Sequence, residues 1–160
     1  MLGDKSSPVE KVHFPIPEIK VTIEDSPPLS EQVVLETTEQ QVAVLREFLG
    51  QSEIRLHSCA CALYLRGDNS LIGVLKTGYG SLKPTILDAQ LVIATGLKAR
   101  ASKVVICYSF PQEVDKIDVS SFTGWKTALG FFEMEHLDYI IITPDSYLSA
   151  VKEGIIIKEE

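Results

Sequence analysis

The chain alternates between two kinds of apolar pattern, and this alternation strongly limits the folds it can adopt. Residues 103–108 form a short run rich in valine, which predicts a buried strand. On either side, residues 86–99 and 119–135 place apolar side chains three or four positions apart, as in a helix that packs on a sheet. Strands that alternate with helices predict the α/β class, with a mixed β-sheet flanked by helices.

Two more elements are predicted ahead of these. A helix at 38–49 has Thr38 in a position suited to the N-cap and Gly50 where a glycine commonly ends a helix. Strands at 58–65 and 70–76 follow, and the Arg-Gly-Asp-Asn sequence between them has the composition of a tight hairpin turn. The side of the helix expected to cover the sheet carries Val42, Leu45, Phe48 and Leu49.

The helix at 86–99 is predicted to begin at a capping box formed by Thr85 and Asp88. Residues 78–80, Gly-Tyr-Gly, are expected to link the hairpin to this helix. Its predicted core-facing residues are Leu87, Leu91, Ala94 and Leu97, and those of the helix at 119–135 are Phe122, Trp125, Leu129 and Phe132.

The last elements are predicted to be short. Residues 139–143 form a strand, 146–153 a helix that ends at Gly154, and 155–157 a final strand.

The N-terminal segment differs from the rest in composition. Residues 1–36 are rich in proline and are predicted to form an arm, while residues 37–160 form one globular domain. Within the arm, the Ile-Lys-Val-Thr-Ile sequence at 19–23 alternates apolar and polar residues, which is typical of a strand. We expect this segment to pair at a sheet edge, within the domain or on another chain.

The balance of charge disfavours direct nucleic-acid binding. The chain has 15 Lys and Arg against 22 Asp and Glu, a net charge of −7, whereas phosphate backbones are bound mainly by cationic side chains. No signal peptide and no apolar run long enough to span a bilayer are recognisable in the sequence. A cytoplasmic protein without a membrane segment is therefore predicted.

One short segment of the sequence contains three side chains of the kinds that commonly bind zinc. His57, Cys59 and Cys61 alternate along a predicted strand and so point to the same side, where they can chelate zinc. The competing interpretation, which we favour, is that the cysteines are reduced, buried packing residues, as we also expect for Cys107. His136 is expected to be solvated or to act as a capping residue.

The order of these elements resembles the RadC-like branch of the JAB/MPN fold. The resemblance covers roughly residues 30–158 and implies a JAB/MPN, cytidine-deaminase-like architecture. The residues that carry it are Gly80-Ser81-Leu82, Val104-Val105-Ile106, Leu137-Asp138, Tyr147 with Ser149, and Gly154.

The resemblance also implies where a zinc site should lie. Family members look like zinc hydrolases, with a glutamate as general base and two histidines plus an aspartate as metal ligands. In this chain the glutamate position is Ser58, and the two histidine positions are Tyr108 and Phe110. Counting back from Leu137-Asp138 puts the aspartate position at Asp118, with a loop about three residues shorter than in the family, and we prefer this assignment. Counting forward from Tyr108 without a gap puts it at Ser121.

One carboxylate does not hold Zn²⁺ in the cell, because a structural or catalytic zinc site needs three or four protein ligands. We therefore expect zinc to be absent, and Tyr108, Phe110 and Trp125 to fill or wall the former cavity. The resulting hypothesis is a catalytically degenerate, metal-free pseudoenzyme that acts as a binding or assembly module, with a protein partner or as a homo-oligomer.

Two alternatives stay open. The first is a zinc-dependent hydrolase with a rearranged site, in which Asp118 acts together with Asp115, Glu113 or the cysteines. The second is an association with DNA repair, which rests on the family label alone and is disfavoured by the acidic charge.

Overall fold

The computed structural model describes residues 15, 17–24, 26–81 and 86–155. Within these residues the helices are α1 (Thr38–Leu49), α2 (Gln51–Leu56), α3 (Ala89–Lys98) and α4 (Val119–Gly130), and a short 3₁₀ turn at Leu29–Glu31 precedes them. The strands are β1 (Ser58–Leu65), β2 (Leu71–Ser81), β3 (Lys103–Ser109), β4 (Glu135–Ile142) and β5 (Tyr147–Ser149).

These five strands form one mixed sheet in the order β2-β1-β3-β4-β5. β1 lies antiparallel to both β2 and β3, whereas β3 and β4 run parallel because α4 carries the chain back between them. β5 closes the far edge antiparallel to β4. The predicted α/β class with a mixed sheet is confirmed.

The sheet is buried on both faces. Every residue of β1 is buried, so its alternate side chains must enter two different cores. Cys59, Cys61 and Leu63 pack with α1 on one face, here called the α1 face. Ala60 and Tyr64 pack on the other, which α3 and α4 cover and which we call the α4 face.

α1 follows the prediction except at its start. The N-cap is Thr37, not Thr38: the Thr37 hydroxyl accepts a hydrogen bond from Gln40 N at 3.2 Å, and the Gln40 side chain returns one from Thr37 N. Thr38 is already helical and buried. Phe48, expected in the core, is 44% exposed, and Gly50 ends the helix with φ +80°.

The hairpin is longer than predicted. β1 has the expected bounds, but β2 continues to Ser81, so residues 78–80 extend a strand and are not a link. Residues 78–80 stay in the strand because they pair with β1: Tyr79 lies opposite Cys59, and Gly78 lies opposite Ala60. Glycine lowers strand propensity, but the backbone ladder to β1 outweighs it here.

α3 buries a different side from the predicted one. Val92 and Gly96 face the sheet, while Leu91 and Leu97 are 45% and 49% exposed. The reason is a close approach: a Cβ on Gly96 would lie 2.6 Å from the Met134 sulfur. The glycine turns the helix toward the sheet, and its N-cap is Asp88, whereas Thr85 lies outside the described residues.

The C-terminal part was only partly predicted. α4 stops at Gly130, short of 135, and β4 begins at Glu135, earlier than expected. The helix predicted at 146–153 is wrong: Tyr147–Ser149 pairs with β4 as β5, because the open edge of β4 offers hydrogen-bonding groups. Ile155 lies in a bend, and 156–157 lie outside the described residues.

The arm segment at 19–23 is not paired with the sheet in the described structure. Ile19 is 91% exposed, and Val21 and Ile23 are about half exposed. In the described part of the arm, residues 19–23 form no strand, so the predicted pairing within the domain is wrong; the backbone of this part meets the sheet at the bridge between Val34 and Ser70. Pairing with another chain stays a prediction. No helix of the described residues has the length and apolarity to cross a membrane.

Candidate functional site

The positions that the resemblance assigns to the site lie toward one end of the sheet. Tyr108 is near the end of β3, Phe110 follows that strand, and Asp118 begins α4. On β1, Ala60 lies directly opposite Tyr108, and Ser58 is two residues away and therefore on the same, α4 face. Ser58 is buried, 1% exposed.

A row of rings occupies this region. The Tyr108 ring stacks on Phe110 with centroids 6.4 Å apart, and lies 5.6 Å from Tyr139 in the neighbouring strand. Tyr139 in turn meets His136 edge-on at 6.3 Å, and His136 contacts Phe122 of α4 at 6.0 Å. We call these five side chains the aromatic row. Ring spacings of this kind are typical of favourable aromatic packing.

The phenols of the row stay protonated. Burial raises the pKa of Tyr108, and burial together with the nearby Tyr108 raises the pKa of Tyr139. Asp118 and Ser121 also act on the Tyr139 phenol, which places both candidates for the aspartate position next to the row. The choice between them stays open.

Asp118 has a structural task in its present position. Its carboxylate accepts hydrogen bonds from Ser120 N at 2.9 Å and from the Ser120 hydroxyl at 2.8 Å, so it caps α4. The Ser121 hydroxyl donates a further bond at 3.3 Å. These bonds, the Ser120 hydroxyl first, lower the pKa of Asp118 and keep it ionised.

These side chains do not fit a zinc ion. Phe110 has no donor atom, and the raised pKa of Tyr108 disfavours a phenolate ligand. Ser58 contributes a neutral hydroxyl, so Asp118 supplies the only carboxylate among the four positions, and its oxygens already bond the start of α4. Within the described residues no group of three or more His, Cys, Asp and Glu side chains is placed to hold a metal ion.

The cysteine cluster lies on the opposite side of the sheet. Cys59 and Cys61 belong to the α1 face, so they point away from Tyr108, as strand alternation predicts. Cys61 lies directly opposite Cys107, and its contact raises the pKa of the Cys107 thiol. Burial raises the pKa of Cys59 to about 11. Buried thiols with raised pKa values are poor nucleophiles at neutral pH.

A buried carboxylate that the sequence did not mark as structural ties the α1 face together. Asp138, 1% exposed, accepts hydrogen bonds from the hydroxyls of Ser149 at 2.6 Å and Thr38 at 3.4 Å. The backbone amides of Tyr139 and Val151 donate two more. Burial raises the pKa of Asp138. The network joins α1, β4 and β5. Sequence patterns do not indicate it, because Thr38 and Asp138 are 100 residues apart in the chain.

His136 is also placed differently from the prediction. It is 7% exposed rather than solvated, and burial lowers its pKa to about 4. Neither ring nitrogen has a hydrogen-bond partner within standard geometry. The apolar rings around it explain why it stays neutral. A histidine that follows Glu133 and Glu135 gives no sequence signal for burial.

The comparison with known families agrees with this geometry. A family model described as RadC-like JAB domain matches residues 35–155, about three quarters of the chain. The chain belongs to the RadC-like JAB domain family. The match begins at Leu35, where the chain joins the sheet, and it contains every strand described above.

Curated relatives of this RadC-like domain are UPF0758 proteins. One from Flavobacterium johnsoniae is 31% identical over 96 residues, which is 58% of this chain and 42% of the relative. Another, from Acidovorax sp. (strain JS42), is 26% identical over 105 residues, 64% of this chain and 44% of the relative. The matched region thus spans less than half the length of each relative.

Proposed function

We propose that this RadC-like JAB domain is a metal-free pseudoenzyme that works by binding a protein partner. The observation that carries the proposal is the chemistry of the four site positions. They offer a buried serine, a protonated tyrosine, a phenylalanine and one helix-capping aspartate, Ser58, Tyr108, Phe110 and Asp118.

The aromatic row supports the same proposal. Hydrolysis at a zinc site needs an open coordination position for water beside the metal. Here Tyr108 and Phe110 pack against the core of the α4 face, which also contains Trp125. Both rings are partly buried in this packing, so they present apolar surface and not metal ligands at this end of the sheet.

The test is a zinc titration of the full chain by calorimetry, with the metal content measured after dialysis. The wild-type chain is expected to bind no zinc at this site. The matched positive control restores both imidazoles in a Tyr108→His, Phe110→His variant, which can use Asp118 as a third ligand. That variant is expected to bind one zinc ion, and adding Asp118→Asn is expected to weaken binding at least tenfold, as loss of one direct ligand should.

One result would refute the proposal. Stoichiometric zinc in the wild-type chain, lost on Asp118→Asn, would establish the rearranged hydrolase site instead. Circular dichroism on each variant separates loss of zinc from loss of fold. The DNA-repair association has no support in the site geometry.

A further inference from the structure

The outward side of α4 is unusual for a helix on a protein surface. The helix buries Phe122, Trp125 and Leu129 against the sheet. At 100° per residue, the opposite side is formed by residues near Thr127 and Gly124, which line a trough of about 1150 Å³. We call it the α4 trough, and its lining residues are Ile93, Val119, Ser120, Thr123, Gly124, Thr127, Ala128, Phe131 and Phe132.

Large apolar side chains stand exposed in this trough. Phe131 is 82% exposed, Val119 53% and Phe132 46%. Among the described residues that line the trough, none is charged. The solvent side of a surface helix normally carries charged residues, and contiguous exposed apolar patches commonly mark interaction sites. The trough therefore has the composition of a contact surface.

The size of the patch fits the apolar centre of a protein interface. With about 200 Å² for a phenylalanine side chain, Phe131 and Phe132 alone leave roughly 250 Å² of apolar surface open. A standard interface buries about 800 Å² on each partner, with an apolar centre and a polar rim. The exposed Leu97 of α3, four residues after Ile93, extends the same side.

The trough is complementary to itself. Suppose two copies of α4 pack antiparallel around a two-fold axis that passes between positions 125 and 126. Phe131 of each copy then faces Ser120 of the other, and Gly124 faces Thr127. A large side chain thus meets a small one at both ends, and small residues in the middle allow close approach. A two-fold contact requires that one surface supply both the projection and the hollow.

The charge of the chain selects the same surface. Two copies with a net charge of −7 each repel one another, so an uncharged surface adds the least repulsion where they meet. The trough is such a surface. It also lacks the acidic side chains with which an acidic protein would recognise a basic partner.

We infer that the α4 trough is the interface of a two-fold homodimer of this chain. The inference names a partner for the binding role proposed above and rests on that proposed function. Electrostatic repulsion between the two copies predicts that the dimer tightens as salt is added.

Sedimentation velocity of the full chain over a range of concentrations tests the inference. Gly124→Arg puts a bulky charge in the middle of the trough, and a Cβ at Gly124 meets no atom within 4 Å, so the side chain can leave the helix without a clash at that atom. Phe131→Glu removes the projecting ring. The matched control is Phe48→Glu, which changes a 44% exposed phenylalanine on α1, on the other face of the sheet.

The wild-type chain and Phe48→Glu are expected to sediment as dimers, and Gly124→Arg and Phe131→Glu as monomers with unchanged circular dichroism. A wild-type monomer at every concentration, or a dimer that persists in both trough variants, overturns the inference. The zinc titration reports separately on the proposed function. A monomer that binds no zinc would overturn the dimer inference and leave the proposed pseudoenzyme role standing. A dimer that binds zinc would overturn the pseudoenzyme role and leave the inferred interface standing.

Discussion

Acid should weaken the fold through His136. The side chain is 7% exposed among Phe122 and Tyr139, and burial lowers its pKa from 6.5 to about 4. Below pH 6.5 the unfolded chain binds a proton at this imidazole, whereas the folded protein does not until about pH 4. Proton uptake therefore favours the unfolded state in this window. The stability from a neutral His136 is complete above pH 6.5 and is lost as the pH falls.

The magnitude follows from the two pKa values. The linkage relation gives a loss in free energy of unfolding of about 2 kcal/mol at pH 5, and about 3 kcal/mol below pH 4. The nearby Lys126 acts in the same direction, because its charge disfavours an imidazolium. The raised pKa of Asp138 acts in the opposite direction, since the folded protein then binds a proton more readily than the unfolded chain does.

Urea unfolding followed by circular dichroism between pH 8 and pH 4.5 measures the effect. His136→Phe keeps a ring in contact with Phe122 but cannot titrate, and it leaves Asp138 unchanged. The difference between the two pH slopes therefore isolates the imidazole. Parallel slopes for the wild-type chain and His136→Phe would show that His136 is not buried as a neutral side chain.

Three further changes test the packing by urea unfolding. Gly96→Ala should destabilise the fold by about 1 kcal/mol, because overpacking against Met134 outweighs the gain in helix propensity, whereas Gly130→Ala, with open space at its Cβ, should be neutral or slightly stabilising. Equal effects would contradict the close approach. Asp138→Ala should cost about 3 kcal/mol by leaving three buried donors and one partly buried donor unpaired, and Asp138→Asn clearly less; a surface-like change below 0.5 kcal/mol would show that the network is not formed. Thr37→Ala should cost about 1 kcal/mol through loss of the α1 cap, while Thr38→Ala would cost more if Thr38 were the true cap.

The strands in the middle of the sheet could be predicted because their own sequences determine them. β1 and β3 are continuous apolar runs, and a sheet buried on both faces requires such runs. The edge strand β5 could not be predicted in this way. Tyr147–Ser149 has three residues, and its strand conformation depends on pairing with Ile140–Ile142 of β4, a contact that local sequence does not contain.

The orientation of α3 shows a second limit of sequence patterns. Spacing alone placed Leu91 and Leu97 toward the core, since larger apolar residues usually lie inside. The structure instead uses Gly96 there, because Tyr64 of β1 reaches across to bond the carbonyl of Val92 at 2.8 Å and needs the helix to lie close. Close approach between a helix and a strand depends on which residues meet, and periodicity does not encode it.

The sequence indicated which residues occupy the site positions, but not which side chains surround them. The structure places Tyr108 near the end of β3 and Asp118 at the start of α4, and both places follow from the order of the elements. It gave no information on Tyr139 and His136 as ring neighbours, which meet only when β4 aligns parallel to β3. Spatial contacts between neighbouring strands are fixed by register.

The four site positions now share one property: each side chain serves the stability of the fold. Asp118 caps α4, Tyr108 and Phe110 pack on the core, and Ser58 is buried in β1. Catalytic sites normally do the reverse, since they keep strained or unpaired groups at some cost in stability. The α4 trough shows that reverse pattern, because Phe131 lies open to water where a polar side chain would cost the fold nothing. Under the proposed pseudoenzyme role, the fold alone accounts for the four site positions, whereas the exposed Phe131 is accounted for by binding at the α4 trough.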